Sequence, residues 1–304
     1  MRFAIGEISV DVVVDDDDFE LPLAQFLPGL DLPALGEQGG LLEPNYIDLA
    51  RNLLKCAIQT FVLRLAGRTI LIDTCIGEHK DRPEIPAWNQ RAGSGFLDRL
   101  RRAGVDPAAV DTVFCTHLHI DHVGWNTQRA DGRWAPTFPN ARYLVGRSEL
   151  ADWLARRDAG TALAMHVRGL EDSVLPVIEA GLVDLVDDGH ELDRGLVLNL
   201  LPGHTMGQMG LRIDRQGGRA IFCGDAVHSP VQICQPGVST SSCIDADRAA
   251  ETRRILLEEA AATGRLLVPA HFRGRRRAHI RKTGAGFAPI FEDDPGLVVA
   301  APNG

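Results

Sequence analysis

The residues able to do chemistry concentrate at 116–124, which read Thr-His-Leu-His-Ile-Asp-His-Val-Gly. Four groups that can bind a metal, His117, His119, Asp121 and His122, fall within six positions. The apolar run 113–115 ahead of them reads as a buried strand. In extended chain His117 and His119 would point to one side, because side chains alternate across a strand. Asp121 and His122 follow where the chain leaves the strand, and Gly124 predicts a sharp turn. The pattern offers two imidazoles to one ion, and a carboxylate with an imidazole to a second. That donor set suits zinc and similar divalent ions.

Such a cluster needs strands to carry it and further donors to complete it. Residues 56–65 and 69–73 read as a hairpin-like pair joined at Ala66-Gly67-Arg68, with Asp73 at its end. Asp73 fits a functional group at a strand end and an ordinary turn former equally well. The apolar run 196–201 leads straight into Pro202-Gly203-His204, the run 219–223 ends in Gly224-Asp225, and 266–268 delivers Pro269-Ala270-His271. One such residue is weak, since a lone histidine is more often structural than a ligand. Three more donors, each just past a β-type run, are hard to obtain by chance.

The remaining elements follow from pattern and punctuation. Residues 8–14 read as a strand, and Asp15 to Asp18 as a solvated acidic turn rather than a cation site, because the run lacks the spacing of a calcium loop. From there to about residue 50 the chain reads as an irregular arm that could cover a pocket or a dimer partner. Ser94 and Ser148 are placed to cap helices, 174–180 predicts a helix, and 141–145, 182–186 and 211–213 predict strands. Residues 245–262 predict an amphipathic helix stopped by Gly264. His166 has no ligand-type neighbours in sequence and is assigned to structure. Arg273, Arg275, Arg276, Arg277, Arg281 and Lys282 open a C-terminal tail, 273–304, that reads by default as a solvated face; the alternative is one Arg reaching an anionic substrate group. Trp125, Phe272, Ile76 and Trp88 are the candidate pocket walls.

The chain has 304 residues, 45% of them hydrophobic, enough for a large core in one or two α/β domains. A formal net charge of -9 argues against a nucleic-acid partner, whose phosphates need basic surface. No signal-peptide pattern and no apolar run of transmembrane length is present. The six cysteines are scattered without a CxxC pair, several of them inside apolar runs, so a reducing cytoplasm is the expected compartment.

The HxHxDH run, the strand-end His, the Gly-Asp pair and the final His together resemble the metallo-β-lactamase-fold hydrolase superfamily; Leu71-Ile72-Asp73-Thr74 also resembles its first motif. The motifs span roughly 70–272. The resemblance implies an α+β fold over 1–304 as a single domain: an αββα four-layer sandwich of two facing mixed sheets with helices on both outer faces. It implies that His117, His119 and His204 hold one Zn2+ and that Asp121, His122 and His271 hold a second. Asp225 would bridge the two, and Asp73 would buttress the ligand loop; Fe, Mn or Co could replace zinc. Two ions about 3.5–4 Å apart lower the pKa of a shared water to about 7, and Asp121 could handle the proton.

True β-lactamases of the superfamily generally lack the bridging Asp, so the resemblance points elsewhere within it. Trp125-Asn126, the stretch 136–141 and Asp225-x-x-His228 are similar to the branch holding N-acyl homoserine lactonases and methyl-parathion hydrolase. Lactonases of that branch carry Tyr where this chain has His228, which would then be the replacement donor near the developing oxyanion; the alternative is a loop histidine without a role. The expected activity is hydrolysis of a small ester, lactone or phosphotriester, with a small molecule as partner. A mononuclear-iron persulfide dioxygenase is the alternative, disfavoured by a complete second donor set. A nuclease is a weaker one, against which the acidic charge speaks.

Overall fold

A computed structural model describes residues 1–284 and 286–292. Two sheets face each other. The first runs, in spatial order, Arg2–Ile5, Ile8–Pro22, Leu53–Leu65, Arg68–Ile72, Thr112–Cys115, Arg142–Gly146 and Val183–Val186, with the short Ile47–Asp48 also pairing to Leu53–Leu65. Its last four strands are mutually parallel. The second runs His190–Asp193, Leu196–Leu200, Met209–Arg215, Gly218–Phe222, Leu266–Val268, Ala278–Thr283 and Gly286–Phe291. There only Gly218–Phe222 and Leu266–Val268 pair in parallel.

Period-two alternation explains the layers. Ile70, Ile72, Phe114 and Leu144 of the first sheet pack on Leu198, Leu211, Phe222 and Val268 of the second, forming the core between the sheets. Their neighbours Leu71, Val113, Tyr143 and Val145 point the other way, against Phe96, Leu100 and Trp153 of the helices Phe96–Arg102 and Arg147–Asp158. On the far side, Ile221 and Leu267 meet Leu256, Leu257 and Ala260 of the helix Ala246–Thr263. The order helix, sheet, sheet, helix is therefore built by the same residues that make the strands apolar on both faces. Among the described residues no helix is long and apolar enough to cross a membrane, and all six cysteines are free.

Several expectations need correction. The acidic run 15–18 is not a solvated turn: it continues the strand Ile8–Pro22, with two irregularities of register near Asp16. Asp15 is buried and paired with Arg91 at 3.0 Å and Arg99 at 3.6 Å, so guanidinium groups replace the water that the sequence suggested. The arm expected over 15–50 is thus a strand up to Pro22, followed by the short helices Leu23–Phe26, Pro33–Leu35 and Glu37–Leu42. The tail expected from 273 supplies the two outermost strands of the second sheet; its part beyond 292 lies outside the described residues. Its basic residues form a solvated face only in part: Arg281 and Lys282 are exposed, Arg273 and Arg275 half-buried. Arg276 and Arg277 are buried, Arg276 bonding Gln59 and Asp17 and Arg277 bonding Glu292. The helix after 146 begins at Arg147, so Ser148 lies inside it and Gly146 takes the cap position without a side-chain bond.

Candidate metal centre

The strand Thr112–Cys115 ends, and residues 116–119 leave it as a loop before the single turn Ile120–Val123. Gly124 serves close approach rather than a left-handed turn, since a Cβ there would stand 1.8 Å from the Ile76 carbonyl oxygen. That contact lets the loop after Asp73 lie on the ligand loop: Thr74 N donates to His122 O at 2.6 Å, and Gly124 N to Cys75 O at 2.7 Å.

The structure brings all seven predicted donors together. His117, His119, His204 and Asp225 offer one ligand atom each within 4.8 Å of one another, and so do Asp121, His122 and His271. His119 Nδ1 stands 3.0 Å from His117 Nε2 and 2.9 Å from His204 Nε2. His122 Nε2 stands 3.2 Å from His271 Nε2. Donors held by one tetrahedral zinc at ~2.0–2.1 Å lie about 3.3 Å apart, so these spacings are close to those of a liganded cage. Asp225 sits between the two sets. Its Oδ2 is 3.2 Å from His204 Nε2 and 3.7 Å from His117 Nε2, while Oδ1 is 3.1 Å from His271 Nε2 and 3.4 Å from His122 Nε2. Asp225 Oδ1 is buried and accepts no well-aligned hydrogen bond, although His271 Nε2 and His122 Nε2 stand beside it. A cation shared with the second set would satisfy it.

The far edge of most rings is already engaged, which fixes which nitrogen faces the cage. His122 Nδ1 donates to Asp73 Oδ2 at 2.8 Å, and His271 Nδ1 to the Ala57 carbonyl at 3.0 Å. His117 Nδ1 lies 3.1 Å from Thr116 Oγ1, and His204 Nδ1 lies 3.6 Å from Cys243 Sγ. Asp73 also accepts from Thr116 N and Thr116 Oγ1 at 2.8 and 2.9 Å. It does so from a left-handed backbone conformation, φ 59°.

Burial holds His117 and His119 well below the ordinary imidazole range, and neighbouring imidazoles add to it. Burial pulls His122, His204 and His271 the same way, but nearby carboxylates, Asp225 first, outweigh it. His204 is pushed up to about 9, and the other two are raised. Burial pushes Asp225 up, yet the imidazoles around it hold it well below the carboxylate range. Without metal the cage keeps protons on imidazoles around one carboxylate. Divalent ions would take their place, with release of those protons. Donor types, their spacing and the carboxylate set between the two groups fit a pair of divalent cations.

A cavity of about 180 Å³ opens onto this cage. Asp121, His119, His204, Asp225 and His271 line its floor, and Phe19, Leu21, Phe26, Ile85, Trp88 and Met165 its walls. Of the four wall residues expected from sequence, only Trp88 is there. Trp125 stacks on Phe96 inside the core, Phe272 packs on Tyr46, and Ile76 is buried with the first sheet's outer layer. None of the arginines of 273–281 lines this cavity. His228 does, with Nε2 3.0 Å from Asp225 Oδ2 and Nδ1 buried without a partner. Burial brings its pKa down to about 4, so it is neutral near pH 7.

Two residues escaped the sequence reading. His166, expected to be structural, lines the cavity and stacks on His119 with ring centroids 4.3 Å apart. Among the described residues its Nδ1 is buried with no partner, and burial lowers its pKa to about 4. Glu149 is fully enclosed behind the first donor set. No motif marks either one. The only signal for Glu149 was an acid in the first turn of an otherwise apolar-faced helix.

With fold and cage in view, the match to known proteins is direct: residues 54–271, well over half of the chain, fit the family model described as the metallo-beta-lactamase superfamily, and the chain belongs to that superfamily. It is 30% identical over 148 residues to a ribonuclease Z of Mycobacterium avium (strain 104), covering 44% of this chain and 51% of that protein. It is 33% identical over 129 residues to the N-acyl homoserine lactonase AttM of Rhizobium radiobacter, covering 39% and 41%. The chain thus spans about half the length of these two curated relatives, or less. Among solved structures, AidC, described as a dizinc quorum-quenching lactonase, superposes with a TM-score of 0.78 at 21% identity, over 97% of both chains. That likeness is one of fold.

Proposed function

We propose that the chain is a dinuclear metal hydrolase that cleaves a small, uncharged ester, lactone or phosphotriester. The observation that carries this reading is the doubled cage: two complete donor sets share Asp225 at the floor of an apolar cavity. His117, His119 and His204 would hold the first ion, Asp121, His122 and His271 the second, and Asp225 both. Ions bound there, with zinc favoured by the donors, supply Lewis acidity and bring a water's pKa to about 7. The chain's own residues do the rest. Asp121 is the least buried donor, at 17% side-chain exposure, and faces the cavity, where it can take a proton and return it to the leaving group. His228 is neutral and has a single N–H, at Nε2 beside Asp225 Oδ2; turning from that carboxylate, it would donate toward an oxygen gaining negative charge. Phe19, Leu21, Phe26 and Trp88 exclude water and orient an apolar substituent.

The names of AttM and AidC support the lactonase end of this range. The likeness to ribonuclease Z keeps a phosphodiesterase reading in play. Among the described residues no Lys or Arg lines the cavity, which disfavours a polyanionic substrate. The test is a panel of lactones, aryl esters, phosphotriesters and a precursor tRNA, assayed with metal-counted enzyme. Turnover of a neutral ester, lactone or triester supports the proposal. Cleavage of the RNA alone, or oxygen consumption on a persulfide by a single-iron protein, overturns it.

A further inference from the structure

Glu149 lies in the first turn of the helix Arg147–Asp158 and is 1% exposed. Its four hydrogen-bond partners are all neutral donors. Leu118 N and Trp153 Nε1 donate to Oε1 at 3.0 and 2.7 Å; Thr205 Oγ1 and Gly207 N donate to Oε2 at 2.7 and 3.0 Å. The placement of those donors is what matters. Leu118 stands between His117 and His119, Thr205 directly follows His204, and Gly207 closes the same turn. One carboxylate therefore ties together the two loops that carry all three imidazoles of the first donor set. Through Trp153 it reaches a third point, because that ring lies edge-on to His119 with centroids 5.4 Å apart.

The backbone is shaped for this contact. A Cβ at Gly207 would come within 2.2 Å of Glu149 N, so only glycine lets the His204 loop close onto the helix. A neutral side chain could not replace the carboxylate. Two oxygens provide about four acceptor sites, whereas an amide has one oxygen and brings two donors of its own. A buried acid without a cation beside it is a costly way to stabilise a core, but an effective way to gather four N–H and O–H groups from separate segments.

We propose that Glu149 is the positioning residue of the first ion: it fixes the separation between the His117/His119 pair and His204, and so the affinity of that subsite. Asp73 performs the matching task for the second ion, through His122 and Thr116. This inference rests on the dinuclear reading above.

The test uses the full chain, stripped of metal and reloaded with zinc or cobalt(II), with both ions titrated against a chelator. In Glu149→Gln one ion should keep wild-type affinity and the other should weaken by roughly 10–100-fold, the usual effect of losing a partner behind the ligands. The cobalt spectrum should change for that ion alone. Thr205→Val removes a single bond and is the milder variant should Glu149→Gln fail to fold; it should weaken the same ion by about tenfold. His122→Ala identifies the ions, because it should weaken the other one. A lower melting temperature with both affinities unchanged would make Glu149 merely structural and overturn the proposal, as would equal weakening of both ions. A wild-type protein that binds only one ion would instead defeat the dinuclear reading, before any Glu149 variant is measured.

Discussion

Changing Asp73 to Asn isolates one atom behind the second ion. Position 73 adopts a left-handed backbone conformation, φ 59°, which Asn tolerates as readily as Asp. Size and backbone are therefore kept, while one oxygen becomes an NH2 donor and the side chain loses its negative charge. In the native protein Oδ1 accepts from Thr116 N at 2.8 Å, while Oδ2 accepts from Thr116 Oγ1 at 2.9 Å and His122 Nδ1 at 2.8 Å. An amide has one oxygen. If its nitrogen takes the Oδ2 place, His122 Nδ1 can bond it only by moving the imidazole proton to Nε2, the atom that faces the cage. If its nitrogen takes the Oδ1 place, it meets the Thr116 N–H donor to donor. Either arrangement leaves a buried mismatch of about 1–3 kcal/mol. If the whole cost falls on metal binding, affinity at the second subsite drops by roughly 5–150-fold, at about 1.4 kcal/mol per decade. Chelator competition on Asp73→Asn should show one ion held as in wild type and the other weakened within that range. Two ions held at native affinity would refute the tautomer reasoning and remove Asp73 from any role behind the site.

His228→Ala should lower turnover while both ions stay bound; loss of an ion would make His228 a ligand instead. His166→Phe keeps a ring against His119 and removes the unpartnered nitrogen. Metal content should stay native and catalytic efficiency should fall by about tenfold or less, as for the loss of one hydrogen bond; unchanged kinetics would return His166 to a packing role. Lys80 is wholly buried, and burial brings its pKa from 10.5 down to about 7 despite Asp172 beside it. Between these values the unfolded chain binds more protons than the folded one. Unfolding free energy should therefore rise with pH from about 7 to 10.5 by at most ~1.4 kcal/mol per unit from this group. The penalty is fully present below pH 7. Denaturant melts of wild type and Lys80→Met should differ by that slope, steeper upward in the wild type; parallel profiles would contradict it.

The site was legible because its donors repeat one local rule. A short apolar run is followed by His or Asp where the strand ends, and five separate segments obey it. The central strands were legible from the same runs, whereas the outer strands Arg2–Ile5, His190–Asp193, Ala278–Thr283 and Gly286–Phe291 were not. What sequence could not show are side chains whose roles arise from packing between distant segments. Glu149 looks like any acid in a first turn until the loops at 118 and 205–207 close around it. His166 has no donors near it in sequence and meets His119 only across the fold. The acidic run 15–18 misled because the arginines that neutralise Asp15 lie at 91 and 99, and because a long neighbouring strand offers it an edge to pair with. Trp125 and Phe272 misled for the opposite reason: adjacency to a ligand says nothing about which side of the strand end a ring takes.

Anomalous X-ray diffraction at the zinc edge, from crystals of the zinc-loaded protein, would show whether seven side chains cage a pair of cations. Two peaks are expected. One should be bounded by His117, His119 and His204, the other by Asp121, His122 and His271, with Asp225 touching both. A single peak, or a second one away from Asp225, would contradict it.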